Sequence, residues 1–252
     1  MRVHPLAARA FDAMADDYDR GRPGWPADAV AALVERLGAA TVLDLAAGTG
    51  KLTQVLAPLA EVIAVEPLAG MRRVLEARVP GVRVLDGTAE AIPLPDASVD
   101  AAFVAEAFHW FDAPRALGEL ARVIRPGGHL VLVWNYLVDE HPEVLDELFE
   151  VVMAHRTPEA EGRTRESSPW REALEADARF EAIADEEARH VQSTNRDEIV
   201  ANIASFSSIG GLPDDARAAA LADVRGVLDR HDVESLEIPL VTKITTTRRG
   251  GG

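Results

Sequence analysis

Cysteine is absent from the 252-residue chain. That removes disulfides, thiolate zinc sites, thiol nucleophiles and thiolate-held iron–sulfur clusters together. Long apolar runs are absent as well. None approaches the ~20 residues of a membrane span, and the opening MRVHPLAARAFDAMADDYDR lacks the apolar segment of a secretory signal. Cations are scarce: 26 Lys+Arg against 42 Asp+Glu leave a formal charge of −16. That balance argues against a surface built to neutralise nucleic-acid phosphates or to dock on an anionic membrane. No His/carboxylate cluster has metal-ligand spacing, so no metal is expected. The expectation left standing is a cytoplasmic protein, with monomer or homodimer both open. The closing RRGGG reads as a frayed tail.

What is present begins with two alternating periodicities. PADAVAALVERLG carries apolar positions at helical spacing and stops at Gly38. TVLDLAA is then a short, mainly apolar run ending in a glycine turn, which reads as a buried strand. KLTQVLAPLA is helical and breaks at Pro58, EVIAVEP is a second strand, and LAGMRRVLEARV a second crossover helix. GVRVLDG and SVDAAFVAEA give strands three and four. RALGELARVIR is a helix closed by Pro126-Gly127-Gly128, and HLVLVWN is strand five. Strands apolar on both faces, separated by amphipathic helices, predict a parallel sheet covered on both sides.

Beyond Asn135 the pattern changes. HPEVLDELFEVVMAHR is amphipathic, TPEAEGRTRESS is a polar loop, and Ser168-Pro169 opens a helix through about Phe180. A sixth strand lies near EARHVQST, followed by helices in NRDEIVANIASF and LPDDARAAALADVRGVLDRH. EIPLVTKITTT alternates and is rich in threonine, which predicts an edge strand. Open α/β folds bind ligands outside the carboxyl ends of their strands, so this late material is expected to cover a substrate pocket.

The stretch LDLAAGTGKLT decides what kind of ligand is held. A phosphate loop needs a glycine five residues before Gly50 and a hydroxyl right after Lys51; leucines, Leu45 and Leu52, occupy both places. The dinucleotide pattern fits better, with Gly48 and Gly50, but its third glycine is Thr53. Asp44 ends the first strand close to where a pyrophosphate would lie. A fixed carboxylate there repels a dianion and attracts an ammonium. Glu66 ends the second strand, where an acidic side chain can accept both ribose hydroxyls. A ligand with a ribose, a positive head and no phosphate is required, and S-adenosylmethionine meets that description.

The chain resembles the class I S-adenosylmethionine-dependent methyltransferases, and more narrowly their small-molecule branch with an FDxxAxxYDxxRPGYP-like leader. Here the leader is FDAMADDYDRGRPGWP, Phe11 to Pro26, followed in family order by LDLAAGTG, VEP from Val65, GTAEAIPLPDASVD from Gly87, AFHWF from Ala107 and RVIRPGG from Arg122. The resemblance implies a Rossmann-like α/β fold. Its sheet has seven strands, mostly parallel with an antiparallel last strand, with helices on both faces and a helical cover inserted after strand five. It implies one domain over residues 1–252: leader 1–25, cofactor core 26–135, cover and sixth strand 136–235, and last strand 236–247.

It also implies roles. Gly48 and Gly50 let the backbone approach the methionine portion of S-adenosylmethionine, Asp44 faces its ammonium, and Glu66 takes its ribose. Ala46 stands where relatives carry a glycine, so that backbone must be one an alanine can adopt. Thr88 replaces an aspartate that reads the adenine amino group, with Ala89 and Glu90 beside it; Pro67, Met71 and Ala105 complete the cofactor set. Tyr18 and Arg22 of the leader are placed over the methionine arm, the guanidinium able to pair with its carboxylate. The substrate side is assigned to Tyr18, Phe108, His109, Trp110, Trp134, Asn135 and Tyr136, with Trp170 within reach only if its helix folds over the site. Lys51 is expected to point to solvent without chemistry.

Methyl transfer to a small organic acceptor follows, with oxygen favoured over carbon or nitrogen, His109 as the one candidate general base, and S-adenosylhomocysteine as the by-product. Two rivals keep the cofactor: an enzyme using it for a non-methylating step such as cyclisation, and a non-catalytic binding protein. Intact Asp44, Gly48, Gly50 and Glu66 weigh against decay. A nicotinamide oxidoreductase is disfavoured by Asp44 and by the missing third glycine.

Overall fold

The alternation of strand and helix builds one seven-stranded sheet in the computed structural model of the chain, which describes residues 14–155 and 168–251. In chain order the elements are α1 (Ala15–Gly21), α2 (Ala27–Leu37), β1 (Thr41–Leu45), α3 (Lys51–Leu56), β2 (Glu61–Val65), α4 (Ala69–Arg78), β3 (Arg83–Leu85) and β4 (Val99–Ala105). A 3₁₀ turn (Phe108–Trp110) leads into α5 (Ala113–Val123), β5 (Ile124–Leu137), α6 (Val144–Ala154), α7 (Trp170–Glu175) and β6 (Phe180–Asn195). The chain then forms α8 (Arg196–Ala204), α9 (Ser207–Gly210), α10 (Asp214–Arg230) and β7 (Ser235–Arg249). The strand order is β3-β2-β1-β4-β5-β7-β6. Pairing is parallel from β3 through β5, and β7 is antiparallel to both β5 and β6. The order reverses between β1 and β4, where an open α/β sheet leaves a crevice at its strand carboxyl ends.

Local chemistry sets the element ends. Gly38 closes α2 in the left-handed region at φ 59°, its N–H donating to the Glu35 carbonyl. Asp112 caps α5 ahead of Pro114, and Asn195 and Glu198 form a reciprocal capping box at the start of α8. Strand alternation then divides the apolar residues. Leu43, Leu45, Val104 and Leu132 pack with Leu117 and Leu120 of α5 and Leu174 of α7. Val42, Phe103, Val131 and Val133 pack with Leu33 of α2 and Leu52 and Leu56 of α3. The cover has a core of its own, joining Leu148 of α6, Ile199 and Ile203 of α8, and Val224 and Leu228 of α10.

Several sequence expectations are corrected here. The threonine-rich β7 is interior, not an edge. Its hydroxyls find partners on the flanking strands: Thr242 on Asn135 Oδ1 at 2.6 Å, Thr245 on Asp185 Oδ1 at 2.7 Å, Thr247 on the Glu181 carbonyl at 2.8 Å. The edge is β6, which begins at Phe180, well before EARHVQST, and shields itself with charged side chains. The helix after Pro169 therefore stops at Glu175, and Pro169, not Ser168, is its N-cap residue. Arg125 to Gly128 do not simply end a helix: α5 stops at Val123, Ile124 already pairs with Val99, and the register slips before His129 pairs with Ala101. The closing arginines belong to β7, and the Gly250 N–H donates to the Arg179 carbonyl at 2.9 Å. Residues 11–13 of the leader motif and most of the polar loop that starts at Thr157 lie outside the described residues. Among the described residues no helix is long and apolar enough to cross a membrane.

Candidate functional site

The turn after β1 places three residues of one short stretch in the left-handed region: Ala46 at φ 57°, Gly48 at 57° and Gly50 at 83°. Such alternation turns backbone N–H groups inward, a shape that ordinarily suits an anion. Here those donors are already used. The N–H groups of Ala46 and Ala47 donate to the Val65 carbonyl at 2.8 and 3.2 Å, and that of Gly50 to the Ala47 carbonyl at 3.0 Å. The Gly48 N–H donates to Glu66 Oε2 at 3.0 Å. The anion seated in this turn is the protein's own Glu66, in the place a bound phosphate would take.

Glu66 sits just beyond β2 and is 4% exposed. Its Oε1 accepts from the Leu68 N–H at 2.9 Å, so each oxygen holds one backbone donor and keeps lone-pair capacity for another. Burial pushes this carboxyl up to about 7, against the pull of the Leu68 and Gly48 N–H groups and of Arg72, with Asp44 adding to the rise. Asp44 is fully buried; Thr53 Oγ1 donates to its Oδ2 at 2.6 Å, while Oδ1 has no partner. Burial raises it to about 6. Strand alternation puts Asp44 with Val42 on the α2–α3 face, so it lies behind the turn and does not line the cleft. Its orphaned oxygen suits a ligand or water that donates, not a phosphate.

The cleft at the β1–β4 reversal has an empty volume of about 830 Å³ including its open mouth. Of the residues expected from sequence, Tyr18, Arg22, Ala46, Gly48, Glu66, Met71, Ala105, His109 and Trp110 line it. A side chain at Gly48 would meet only Tyr18, with Cε1 4.0 Å away, so the backbone there is open to close approach. The leader forms the roof. Asp16 pairs with Arg73 at 2.9 Å, Asp17 with Arg217 at 3.5 Å, and Asp19 with Arg78. Burial raises the Tyr18 hydroxyl above its ordinary value, partly offset by Arg22. His109, 8% exposed, rests its ring 4.9 Å from that of Trp110.

Other expected residues are placed elsewhere. Phe108 is core, edge-on to Phe111 at 5.5 Å. Trp134 is 2% exposed and packs on Trp170 at 4.4 Å, inside the sheet's own core. Asn135 is a tie: its Nδ2 donates to the Gly24 carbonyl at 3.0 Å, its Oδ1 accepts from Thr242, and its N–H donates to Glu106 Oε1 at 2.7 Å. Tyr136 packs beneath Lys243 Nζ, 4.9 Å from its ring centre. Gly50, Pro67, Thr88, Ala89 and Glu90 are not on the cleft wall; the Glu90 carboxylate accepts from the Asp112 N–H at 3.0 Å. Lys51 is half-buried, not solvent-directed, and burial lowers its ammonium below the usual lysine range. Phe111 of the AFHWF block lines the cleft as well, and four lining residues went unread in the sequence: Leu68, Glu106, Ala107 and Ser207. Glu106 had a signal, an acidic residue directly after an apolar strand as Glu66 is. Ser207, far along the chain, had none.

Residues 43–132 match the family described as a methyltransferase domain. Over 238 residues the chain is 37% identical to an uncharacterized methyltransferase of Mycobacterium tuberculosis, covering 92% of this chain and 93% of that one. It is 47% identical over 100 residues to a demethylmenaquinone methyltransferase of Thermus thermophilus, a match covering 36% of this chain and 46% of the other. Among solved structures, a protein of Anaeromyxobacter dehalogenans described provisionally as a Type II methyltransferase superposes with a TM-score of 0.63 at 28% identity, covering 91% of this chain and 97% of that one.

Proposed function

The chain belongs to the class I S-adenosylmethionine-dependent methyltransferases, and we propose that its cleft binds S-adenosylmethionine and directs the methyl group to a small organic acceptor, at oxygen in preference to carbon or nitrogen. The observation that carries the cofactor reading is Glu66: a buried carboxylate facing the cleft, occupying the anion position of the glycine turn with spare acceptor capacity. That arrangement repels phosphate and receives the two hydroxyls of a ribose. Gly48 supplies the close backbone approach, and Arg22 with Tyr18 covers the methionine portion. Met71 and Ala105, which line the cleft, lie alongside the cofactor. Asp44 contributes negative potential from behind the turn to a ligand whose head is cationic.

S-adenosylmethionine supplies a methyl group already activated by its sulfonium. The protein then has to hold the acceptor in line and keep water out, and such positioning can supply ~7–11 kcal/mol of the barrier. Tyr18, Trp110 and Phe111 give the cleft apolar walls suited to a small planar acceptor. His109 is placed to take the proton from an attacking hydroxyl. The test is incubation with S-adenosylmethionine and a fractionated metabolite extract, followed by mass spectrometry. S-adenosylhomocysteine should form together with one product heavier by a methylene. Tight cofactor binding with no product on any fraction would refute the transfer, and a Glu66→Ala variant binding the cofactor as tightly as wild type would refute the ribose assignment.

A further inference from the structure

Arg22 reaches the cleft from just past the end of α1, yet most of what fixes it comes from the cover. Its Nε donates to Ser205 Oγ at 2.9 Å and its Nη2 to the Ser205 carbonyl at 3.2 Å. The guanidinium carbon lies 5.0 Å from the centre of the Tyr18 ring and 4.8 Å from that of Phe206. Ser205 is 2% exposed, is the C-cap residue of α8, and donates its own hydroxyl to the Asn202 carbonyl at 2.7 Å. One residue before Arg22, Gly21 lies so near α8 that a side chain there would stand 2.0 Å from the Asn202 nitrogen. Leader and cover therefore meet backbone to backbone. Past Phe206 the chain runs into Ser207, which lines the same cleft.

We propose that Ser205 and Phe206 are positioning residues that fix the Arg22 guanidinium so that its remaining N–H groups serve the carboxylate of the cofactor's methionine portion. The proposal rests on the reading that this cleft holds S-adenosylmethionine. Arginine has many rotamers, and a free one must be ordered by its ligand at a cost in affinity. Two hydrogen bonds from Ser205 and two flanking rings do that ordering beforehand. Among the described residues they use Nε and Nη2 and leave Nη1, which suits a planar donor meeting a carboxylate. The cofactor compartment is thus completed by the α8–α9 junction, an element of the cover and not of the nucleotide-binding half. Recognition of the cofactor's amino-acid end is built into the part of the chain that encloses the acceptor.

Titration calorimetry on the full chain with two ligands separates this role from a general structural one. S-adenosylhomocysteine carries the carboxylate; 5′-methylthioadenosine keeps the nucleoside and thioether but lacks the amino-acid end. Ser205→Ala and Phe206→Leu should each weaken S-adenosylhomocysteine by about 3–10-fold and leave 5′-methylthioadenosine within about 2-fold, which also reports that the variants are folded. Phe206→Tyr, which keeps the ring, should retain wild-type affinity for both. In an Arg22→Gln background, Ser205→Ala should add nothing. Equal weakening of both ligands, unchanged S-adenosylhomocysteine affinity in the single variants, or additive effects in the double variant would overturn the positioning role while leaving the cofactor reading intact. A wild-type chain that binds neither ligand would overturn both.

Discussion

Replacing Asp44 by asparagine tests whether the carboxylate behind the turn is kept at the expense of stability. Asp44 is fully buried, and burial lifts it from 3.8 to about 6 despite the hydrogen bonds from Thr53. A carboxyl that holds its proton more tightly when folded stabilises the fold while protonated. That contribution is complete below the unfolded value and is lost as pH rises through about 6. At 1.36 kcal/mol per pH unit the full loss is about 3 kcal/mol, of which about 2 kcal/mol falls between pH ~4.5 and ~8. The amide of an Asp44→Asn variant has nothing to ionise, while Thr53 could still donate to its oxygen. Its unpaired N–H groups would cost about 1–3 kcal/mol at every pH alike, so absolute stability is a poor readout and the slope is the good one. Glu66, raised to about 7 chiefly by burial, steepens both proteins, the variant slightly less because it lacks the Asp44 charge. Urea unfolding followed by circular dichroism across this range should therefore show wild type losing about 2 kcal/mol more than Asp44→Asn. Parallel pH profiles would refute the claim that Asp44 carries an uncompensated charge.

The glycine turn gives a pair of opposite expectations. Ala46 sits at φ 57°, where an L-residue is disfavoured by roughly 1–2 kcal/mol, so Ala46→Gly should gain about 0.5–1 kcal/mol once the glycine's extra unfolded entropy is deducted. Gly50 lies at φ 83° with a would-be side chain 2.8 Å from Leu75 Cγ, so Gly50→Ala should lose about 2–4 kcal/mol; thermal unfolding in which both changes move stability the same way would contradict the turn geometry. His109→Ala, measured on whichever acceptor the extract assay yields, should lower kcat by about 10²–10⁴-fold with cofactor affinity unchanged. An unaltered kcat would make His109 a wall of the cleft and not its base.

The sequence by itself determined the architecture, and its residues pointed to a ligand with a cationic head. Periodicity is a local property, so TVLDLAA, EVIAVEP and HLVLVWN could be recognised as buried strands, and the helices between them as amphipathic, without knowing what each would touch. The same holds for the turn, where Leu45, Leu52 and Thr53 removed the phosphate patterns and Asp44 and Glu66 announced a cation-bearing nucleoside. Tertiary structure alone decided which residues share a wall. Trp134, Asn135 and Tyr136 end a strand at the right height, but packing on Trp170, the tie to Gly24 and the stacking under Lys243 draw them away from the cleft. The threonines of β7 suit an edge or an interior equally until flanking strands supply partners for their hydroxyls. Ser205 and Ser207 carry no local signal whatever, because their place beside Arg22 and the cleft depends on α8 and α9 lying against a leader that precedes them by 183 residues at the Arg22–Ser205 contact. Spacing along a chain fixes what a segment forms; which side chains meet depends on contacts between segments whose separation the spacing does not encode.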